Sequence, residues 1–431
     1  MKNYNPIRSA PKAQPFKKGD LLVLFGELFN RGYANGLVEE AEKQGMTIVR
    51  ATVGRRDENL NLRKLTPEET ENIPKPFINV PLEAGFDLEK DQSGKTPNDY
   101  LKEVKLSEWK NAAVPKESLT YCRDHARARF KKQTQDFIAE LENLVQPGQH
   151  VHFAHLMAGG VPRTKIVMPL MNRVFKGRGD RYLSSREFWD SGIGEFLKIN
   201  FHEVTAETFN ILVEETTALR NKIKSDGGTT SYVAYGYHGT DIIINNEYAW
   251  QSYAPYIQGW AKCGLEDYST SWSKKGIACC VYNCPEILTN SSSIFQGIEV
   301  PLYNLVRAMK KEIPNHPLTI KLEKDCRAVL KNPDDLQKIF DTVDAFFKSP
   351  EIAKTSVYEG WPQHSTKEQL ELTLGTSDAI IDLHRDEKVL MTGSLSELIF
   401  RSCGHIMLHE GAKPAKPVAW IGHDAVVACL H

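Results

Sequence analysis

The chain has 431 residues, 41% of them hydrophobic and 25% charged, with 54 basic against 55 acidic side chains and a formal net charge of −1. A globular protein able to bury a large core fits that composition, and the balanced charge offers no field for nucleic acid or an anionic membrane. No charged-then-apolar leader opens the sequence and no apolar run approaches the ~18–20 residues that span a bilayer, so a cytoplasmic protein without membrane insertion is expected.

Residues 1–20 hold five basic residues and three prolines and read as an arm over the surface. The next stretch, Leu21 to Arg56, reads as one dinucleotide-binding β-α-β unit. Asp20-LLVLFG is a short apolar run ending on Gly26, as a buried parallel strand would be. Gly26, Gly32 and Gly36 then fall in the turn, with Tyr33 beside them. A helical pattern follows, with Leu37, Val38 and Ala41 on one stripe, ending at Gly45 before a second strand, Met46-TIVRATV. Glycine suits such a turn because a pyrophosphate must approach main-chain N–H groups at a helix N-terminus. Arg55 and Arg56 follow the second strand, beside the place an adenosine ribose takes in this fold. Guanidinium groups there suit a 2′-phosphate, so NADP(H) is favoured, while Asp57 leaves NAD(H) open.

Pro76-FINVPLEAGFD suggests a third strand, and the polar residues 87–120 an insertion. Tyr121 to Val145 has Phe130, Phe137, Leu141 and Leu144 at helical spacing, and Gln149-HVHFAHLMAGG reads as a fourth strand. A helical segment over about Ile193 to Ile223 precedes a fifth strand, Thr230-SYVAYGYHG, then a loop and a helix through Lys262. Gly276-IACCVYNCPEILT is a sixth strand with its exit loop, and further helices, separated by Pro314 and Pro317, fill Asn290 to Ser349. Strands alternating with helices imply a doubly wound, Rossmann-type parallel sheet of the α/β class. The expected organisation is an arm (1–20), a cofactor-binding catalytic unit (21–345) with an insertion near 87–120, and a C-terminal extension (346–431). Within that extension HIMLHEG reads as the last strand of the sheet and PVAWIGHDAVVACLH as an appended strand or tail.

Eight cysteines in a chain this long, without a C-x-x-C pair, form no disulfide framework; Cys279 and Cys280 suit packing in a strand. His405-x3-His409 has metal-like spacing only on a helix, and with Gly404 and Gly411 bracketing a strand-like run no metal is expected.

Chemistry concentrates after the fifth strand, where Tyr235, Tyr237, Tyr248, Tyr253 and Tyr256 precede Lys262. Ligands of doubly wound sheets bind beyond the carboxyl ends of the strands, so the position matters more than the residue count. The glycine turn, Gly26-x5-Gly32-Tyr33-Ala34-x-Gly36-Leu37, resembles that of enoyl-thioester reductases in the short-chain dehydrogenase/reductase superfamily, with Gly32 where that branch has serine. YHGTD is similar to their Y-L-G-A-E run, GWAKCGLE to the G-L-A-K-A-S-L-E that carries their catalytic lysine, and PEILTNSSSIFQGI to their nicotinamide loop, with Pro285 in place of a glycine. The matches keep their order across roughly residues 20–345 and are those of a divergent, enlarged member.

That resemblance implies hydride attack on the β-carbon of a trans-2-enoyl thioester, carried by acyl carrier protein or coenzyme A, and an enolate stabilised by a tyrosine hydroxyl. The common Y-x3-K spacing is absent, since Gln258 stands four residues before Lys262. Tyr253-x8-Lys262 matches the wider spacing of one enlarged class, and Tyr253 is favoured over Tyr256 as the donor. Tyr237 stands where the enoyl branch has a tyrosine and ketone reducers a serine. Lys262 is expected to hold the nicotinamide ribose, with Ile287 and Thr289 in the loop beside it. Ile294, Phe295 and Ile298 either cover an acyl chain or pack a helix on the core. A carbonyl or hydroxyl oxidoreductase of the same fold, and a cofactor-binding protein without catalysis, remain the alternatives. A monomer or homodimer is expected.

Overall fold

In the computed structural model, which describes residues 4–157, 159–251, 259–356 and 364–430, every side chain of the strand Leu21–Phe25 is buried. Neighbouring residues of a strand point to opposite faces, so both faces must be covered. Leu22 and Leu24 enter one apolar cluster with Leu37, Val38 and Ala41, while Leu21, Val23 and Phe25 enter another with Phe130, Phe137 and Leu141.

Apart from a short antiparallel ribbon that pairs Arg55–Arg56 with Leu62–Arg63, the strands among the described residues are, in chain order, β1 (Pro6–Ile7), β2 (Leu21–Phe25), β3 (Thr47–Val53), β4 (Phe77–Leu82), β5 (His150–His155), β6 (Thr229–Gly236), β7 (Thr240–Ile244), β8 (Glu247–Gln251), β9 (Cys279–Asn283) and β10 (Val418–Ile421). Eight of them form one parallel sheet in the order β4-β3-β2-β5-β6-β9-β10-β1. Counted from β2, this is the doubly wound order 3-2-1-4-5-6 with two strands added at one edge. Its winding reverses between β2 and β5, where a crevice opens at the carboxyl ends. The helices that matter for the site are α1 (Tyr33–Lys43), α2 (Lys116–Glu142), α3 (Val167–Lys176), α4 (Gly192–His202), α5 (Thr208–Glu215), α6 (Trp260–Lys274), α7 (Asn304–Glu312), α8 (Asp335–Lys348), α9 (Lys367–Asp382) and α10 (Thr392–His409). None of the described helices is long and apolar enough to cross a membrane.

Four expectations change. HIMLHEG is not a strand: its residues up to His409 close α10, whose Ile399, Cys403, Ile406 and Met407 are buried at helical spacing. Gly404 does not break this helix. A Cβ there would lie 2.1 Å from the Gly36 carbonyl carbon, and one on Gly36 would lie 1.9 Å from the Phe400 carbonyl oxygen, so the two glycines let α1 and α10 cross in backbone contact. The last strand is therefore β10, from PVAWI, and it lies inside the sheet between β9 and β1. The arm is not wholly on the surface either. Pro6 and Ile7 pair with Trp420 and Ile421, and Arg8 bridges Asp241 at 2.5 Å and Asp424 at 3.0 Å.

The expected loop after β6 contains the β7–β8 hairpin, closed by Asn245 and Asn246 at φ +50° and +68°, where an Asn-Asn pair matches the strand twist. Residues 87–120 bury Leu101, Trp109 and Val114 against Phe196 and Phe201 of α4, forming a third apolar cluster beyond the carboxyl edge of the sheet. The helical stretch from Gly192 is interrupted by a π-turn, Glu203–Glu207, before α5.

Candidate active site

A cleft with about 240 Å³ of water-accessible space opens at the reversal of winding. Its walls come from the turn between β2 and α1, the ends of β5 and β6, the π-turn, the first turn of α6 and the loop after β9. Gly26 turns the chain out of β2 at φ +126°, where a Cβ would stand 2.9 Å from the Leu156 carbonyl carbon. Gly32 caps α1 with nothing within 4 Å of a Cβ position, and no acidic residue occupies the helix's first turn. Open space above a helix N-terminus that no side chain caps suits a phosphate.

Tyr33 ties this turn to the far wall: its hydroxyl donates to the Pro285 carbonyl oxygen at 2.6 Å and its ring stacks on Tyr235 at 5.5 Å. The loop after β9 is held in turn by a capping box between Thr289 and Ser292, with the Thr289 N–H donating to Ser292 Oγ at 2.8 Å. The Leu288 N–H donates to Ser396 Oγ of α10 at 2.8 Å.

Lys262 lies in the first turn of α6 and lines the cleft, where burial lowers its ammonium to about 8. His155, at the end of β5, lines it too. Burial first, then the Lys262 charge, hold its imidazole well below the usual range. Its Nε2 lies 2.8 Å from Thr208 Oγ1, whose own hydroxyl donates to the Val204 carbonyl, so the imidazole is the donor. Tyr237 donates to Glu286 Oε1 at 3.1 Å, and burial pushes the Glu286 carboxyl up to about 8. Behind them, Glu266 accepts from Asn283 Nδ2 at 3.0 Å, and Asn283 Oδ1 accepts the His238 N–H at 2.9 Å, which fixes the turn carrying Tyr237.

The structure thus brings together Gly32, Tyr33, Tyr237, Lys262, Ile287 and Thr289, all on the cleft wall. Gly36 is not among them; it is spent on the contact with α10. Neither arginine lines the cleft. Arg56 is paired with Glu83 and donates to the Leu60 carbonyl, while Arg55 reaches Glu27 at 3.6 Å. Tyr253 and Tyr256 lie outside the described residues. Sequence reasoning named Tyr235 without giving it a role and missed His155, Thr205 and Glu286. His155 and Tyr235 stand at strand ends, the one signal that pointed to them; nothing local marks Glu286 or Thr205.

The cleft fits a nicotinamide dinucleotide. Beyond the open N-terminus of α1, the buried Tyr235 hydroxyl on its wall has no hydrogen-bond partner among the described residues, and burial raises it well above the usual range. A buried, unpaired polar atom on a cleft wall is a place for a ligand.

The Glu40–His405–His409 group is the one metal-like cluster among the described residues. Its geometry is that of a hydrogen-bonded tie. His409 Nδ1 accepts the Gln14 N–H at 3.0 Å, which leaves its proton on Nε2, 3.0 Å from Glu40 Oε1. His409 then turns no lone pair toward the carboxylate for an ion to share.

Comparison with known proteins agrees with this geometry. The model of the enoyl-acyl carrier protein reductase FabMG family matches residues 3–430. A structure described as apo FabMG, a novel type of enoyl-acyl carrier protein reductase, is 43% identical over 100% of this chain and 98% of its own, with a TM-score of 0.95. A FabMG structure described as NADH-bound is 38% identical over 100% of this chain and 99% of its own, with a TM-score of 0.80. A FabI–NADH complex from Alistipes finegoldii aligns over 68% of this chain and 75% of its own at 14% identity and a TM-score of 0.36, too low to bear weight. A search of curated protein sequences matched nothing. With its full length matched, the chain belongs to the enoyl-acyl carrier protein reductase FabMG family.

Proposed function

We propose that this protein reduces the 2,3 double bond of trans-2-enoyl thioesters, presented on acyl carrier protein, with NADH as the reductant. The observation that carries the reading is the cleft itself, with Lys262, Tyr237, Ile287 and Thr289 gathered at the carboxyl ends of the strands beside an open helix N-terminus. Gly32 and the α1 N-terminus are assigned to the pyrophosphate, Lys262 to the ribose, and Ile287 and Thr289 to the nicotinamide. When bound, that group supplies the hydride that the β-carbon accepts.

The residues of the chain then answer the charge that develops on the thioester oxygen. A hydroxyl aimed at that oxygen lowers the barrier because the charge appears only in the transition state. Tyr253 is assigned that donation, with Tyr256 as its nearest competitor. Lys262 favours a more acidic tyrosine through its positive charge and holds the ribose in place. Tyr237, fixed by Glu286, lines the wall on which the acyl group rests.

NADH is preferred to NADPH here because Arg56 already has a carboxylate partner in Glu83, and a 2′-phosphate would have to displace it. The solved FabMG relative described as NADH-bound supports the same choice. Arg55, exposed and only loosely paired with Glu27, favours NADPH as the second reading.

Three variants test the assignment. Tyr253→Phe keeps the ring and removes one oxyanion donor, which should cost on the order of 10²–10³ in turnover with little change in cofactor affinity. Tyr256→Phe should cost less than roughly tenfold. Lys262→Ala should damage cofactor binding and turnover together. A silent Tyr253→Phe beside a crippling Tyr256→Phe would move the donor role three residues on.

A further inference from the structure

A second, apolar cavity adjoins the cofactor cleft, with about 60 Å³ of water-accessible space. Glu286 and Phe295 line both, so the two spaces meet at that pair. Much of its remaining lining comes from elements outside the doubly wound core, namely Phe175 of α3, Phe346 and Phe347 of α8, and Leu370 and Thr373 of α9, while Gln251 of β8 and residues within 296–301 line it as well. Of the three glutamines on its described lining, Gln251 ends β8 and the other two are held by neighbouring side chains and backbone. Gln296 donates to Ser377 Oγ at 3.0 Å and Asp378 Oδ1 at 2.9 Å, and Gln369 donates to the Glu351 carbonyl at 2.8 Å. The one acid among the described residues of its lining, Glu286, is hydrogen-bonded to Tyr237. Burial raises that carboxyl to about 8, which favours its uncharged form at neutral pH. A guest in this cavity therefore meets mostly aromatic and aliphatic carbon, with Gln251, Thr355, Ser356 and Ser365 adding a polar fringe to the lining.

The substrate class proposed above has the matching shape. Its reacting carbons must lie in the cleft beside Lys262 and Tyr237, and everything beyond them is alkyl chain with nowhere polar to go. We propose that the second cavity receives the alkyl tail of the enoyl thioester, and that Thr373, Leu370 and Phe346 set the chain length the enzyme prefers. This rests on the reading of the chain as an enoyl-thioester reductase, and it gives α8 and α9 a function: they close the acyl site.

The test compares kcat/KM for trans-2-octenoyl and crotonyl thioesters on one carrier, in the full-length protein. Each further buried methylene is worth about fourfold, so four of them favour octenoyl by up to on the order of 10². Thr373→Trp, which plugs the cavity, should lower the octenoyl-to-crotonyl ratio at least roughly tenfold. Leu370→Ala, which widens it, should shift preference toward dodecenoyl. An unchanged ratio in folded Thr373→Trp, or equal loss for both chain lengths, would overturn the proposal. Should the Trp variant not fold by circular dichroism, Thr373→Met decides by the same ratio. Wild-type protein that reduces both thioesters without a plug effect defeats the cavity assignment alone; wild-type protein that reduces neither defeats the functional reading beneath it.

Discussion

Glu286 shows how one side chain can matter without announcing itself. It follows Pro285 in the PEILTNSSSIFQGI loop, where nothing singles out the glutamate itself, and it is hydrogen-bonded to Tyr237, 49 positions away. Burial raises its carboxyl from 4.5 to about 8, so the folded protein holds a proton that the unfolded chain releases. Its contribution to stability is complete below about pH 4.5 and is lost as pH rises through about 8. Glu286→Gln removes that titration, so its melting temperature should fall less than the wild type's between pH 6 and pH 9; parallel curves would contradict the assignment. Lys262 was singled out by the resemblance of GWAKCGLE to a lysine-bearing run of enoyl-thioester reductases, and the fold does place it on the cleft wall. The arginines could not be weighed from sequence, for the opposite reason. Arg56 finds Glu83 at a distance in sequence of 27, and no local window contains that pair. Replacing Arg55 and Arg56 with alanine should leave a preference for NADH intact, measured as the ratio of kcat/KM for the two cofactors. A large selective loss with NADPH, in a protein that prefers NADPH, would restore the 2′-phosphate reading.

Elements were easiest to read where burial on both faces left a continuous apolar run, as in β2, β5 and β9, because such a strand needs no partner sequence to identify it. The edge strand β1 has two residues and no signal of its own; it exists because Trp420 and Ile421 offer it an unpaired edge. The end of α10 was misread because HIMLHEG is shorter than two helical turns. The deciding period, Ile399, Cys403, Ile406 and Met407, shows only over a longer window. The crossing of α1 and α10 gives a direct check. Gly36→Ala and Gly404→Ala each force a methyl into backbone that cannot yield without separating the helices, which should cost about 1–3 kcal/mol or more. Gly393→Ala, in the same helix with nothing within 4 Å of its Cβ, should be neutral or stabilising by up to about 1 kcal/mol. Denaturant unfolding of the three variants separates the cases, and equal stability among them would contradict the close crossing.

At the scale of the molecule, the alternation of strands and helices was enough to identify a doubly wound sheet, and the glycine turn placed its cofactor end. What it could not supply was closure. Residues on either side of the central unit return to the sheet as β1 and β10, and the helices between Asp335 and Asp382 wall a second cavity against the first. Such contacts join residues hundreds of positions apart, as Arg8 and Asp424 do, and no spacing rule encodes them. The segment with Tyr253 and Tyr256 was read from spacing to Lys262 alone. The central claim is that this assembly delivers hydride to a carbon–carbon double bond conjugated to a thioester. It is tested most directly by following NADH absorbance with the purified chain and two substrates on one carrier, crotonyl and acetoacetyl thioester. The account predicts NADH oxidation with crotonyl thioester, giving the saturated butyryl product, and little with acetoacetyl. Oxidation with acetoacetyl alone would make the protein a carbonyl reductase on the same fold, and NADH binding without oxidation by either would leave a cofactor-binding protein that does not catalyse this reaction.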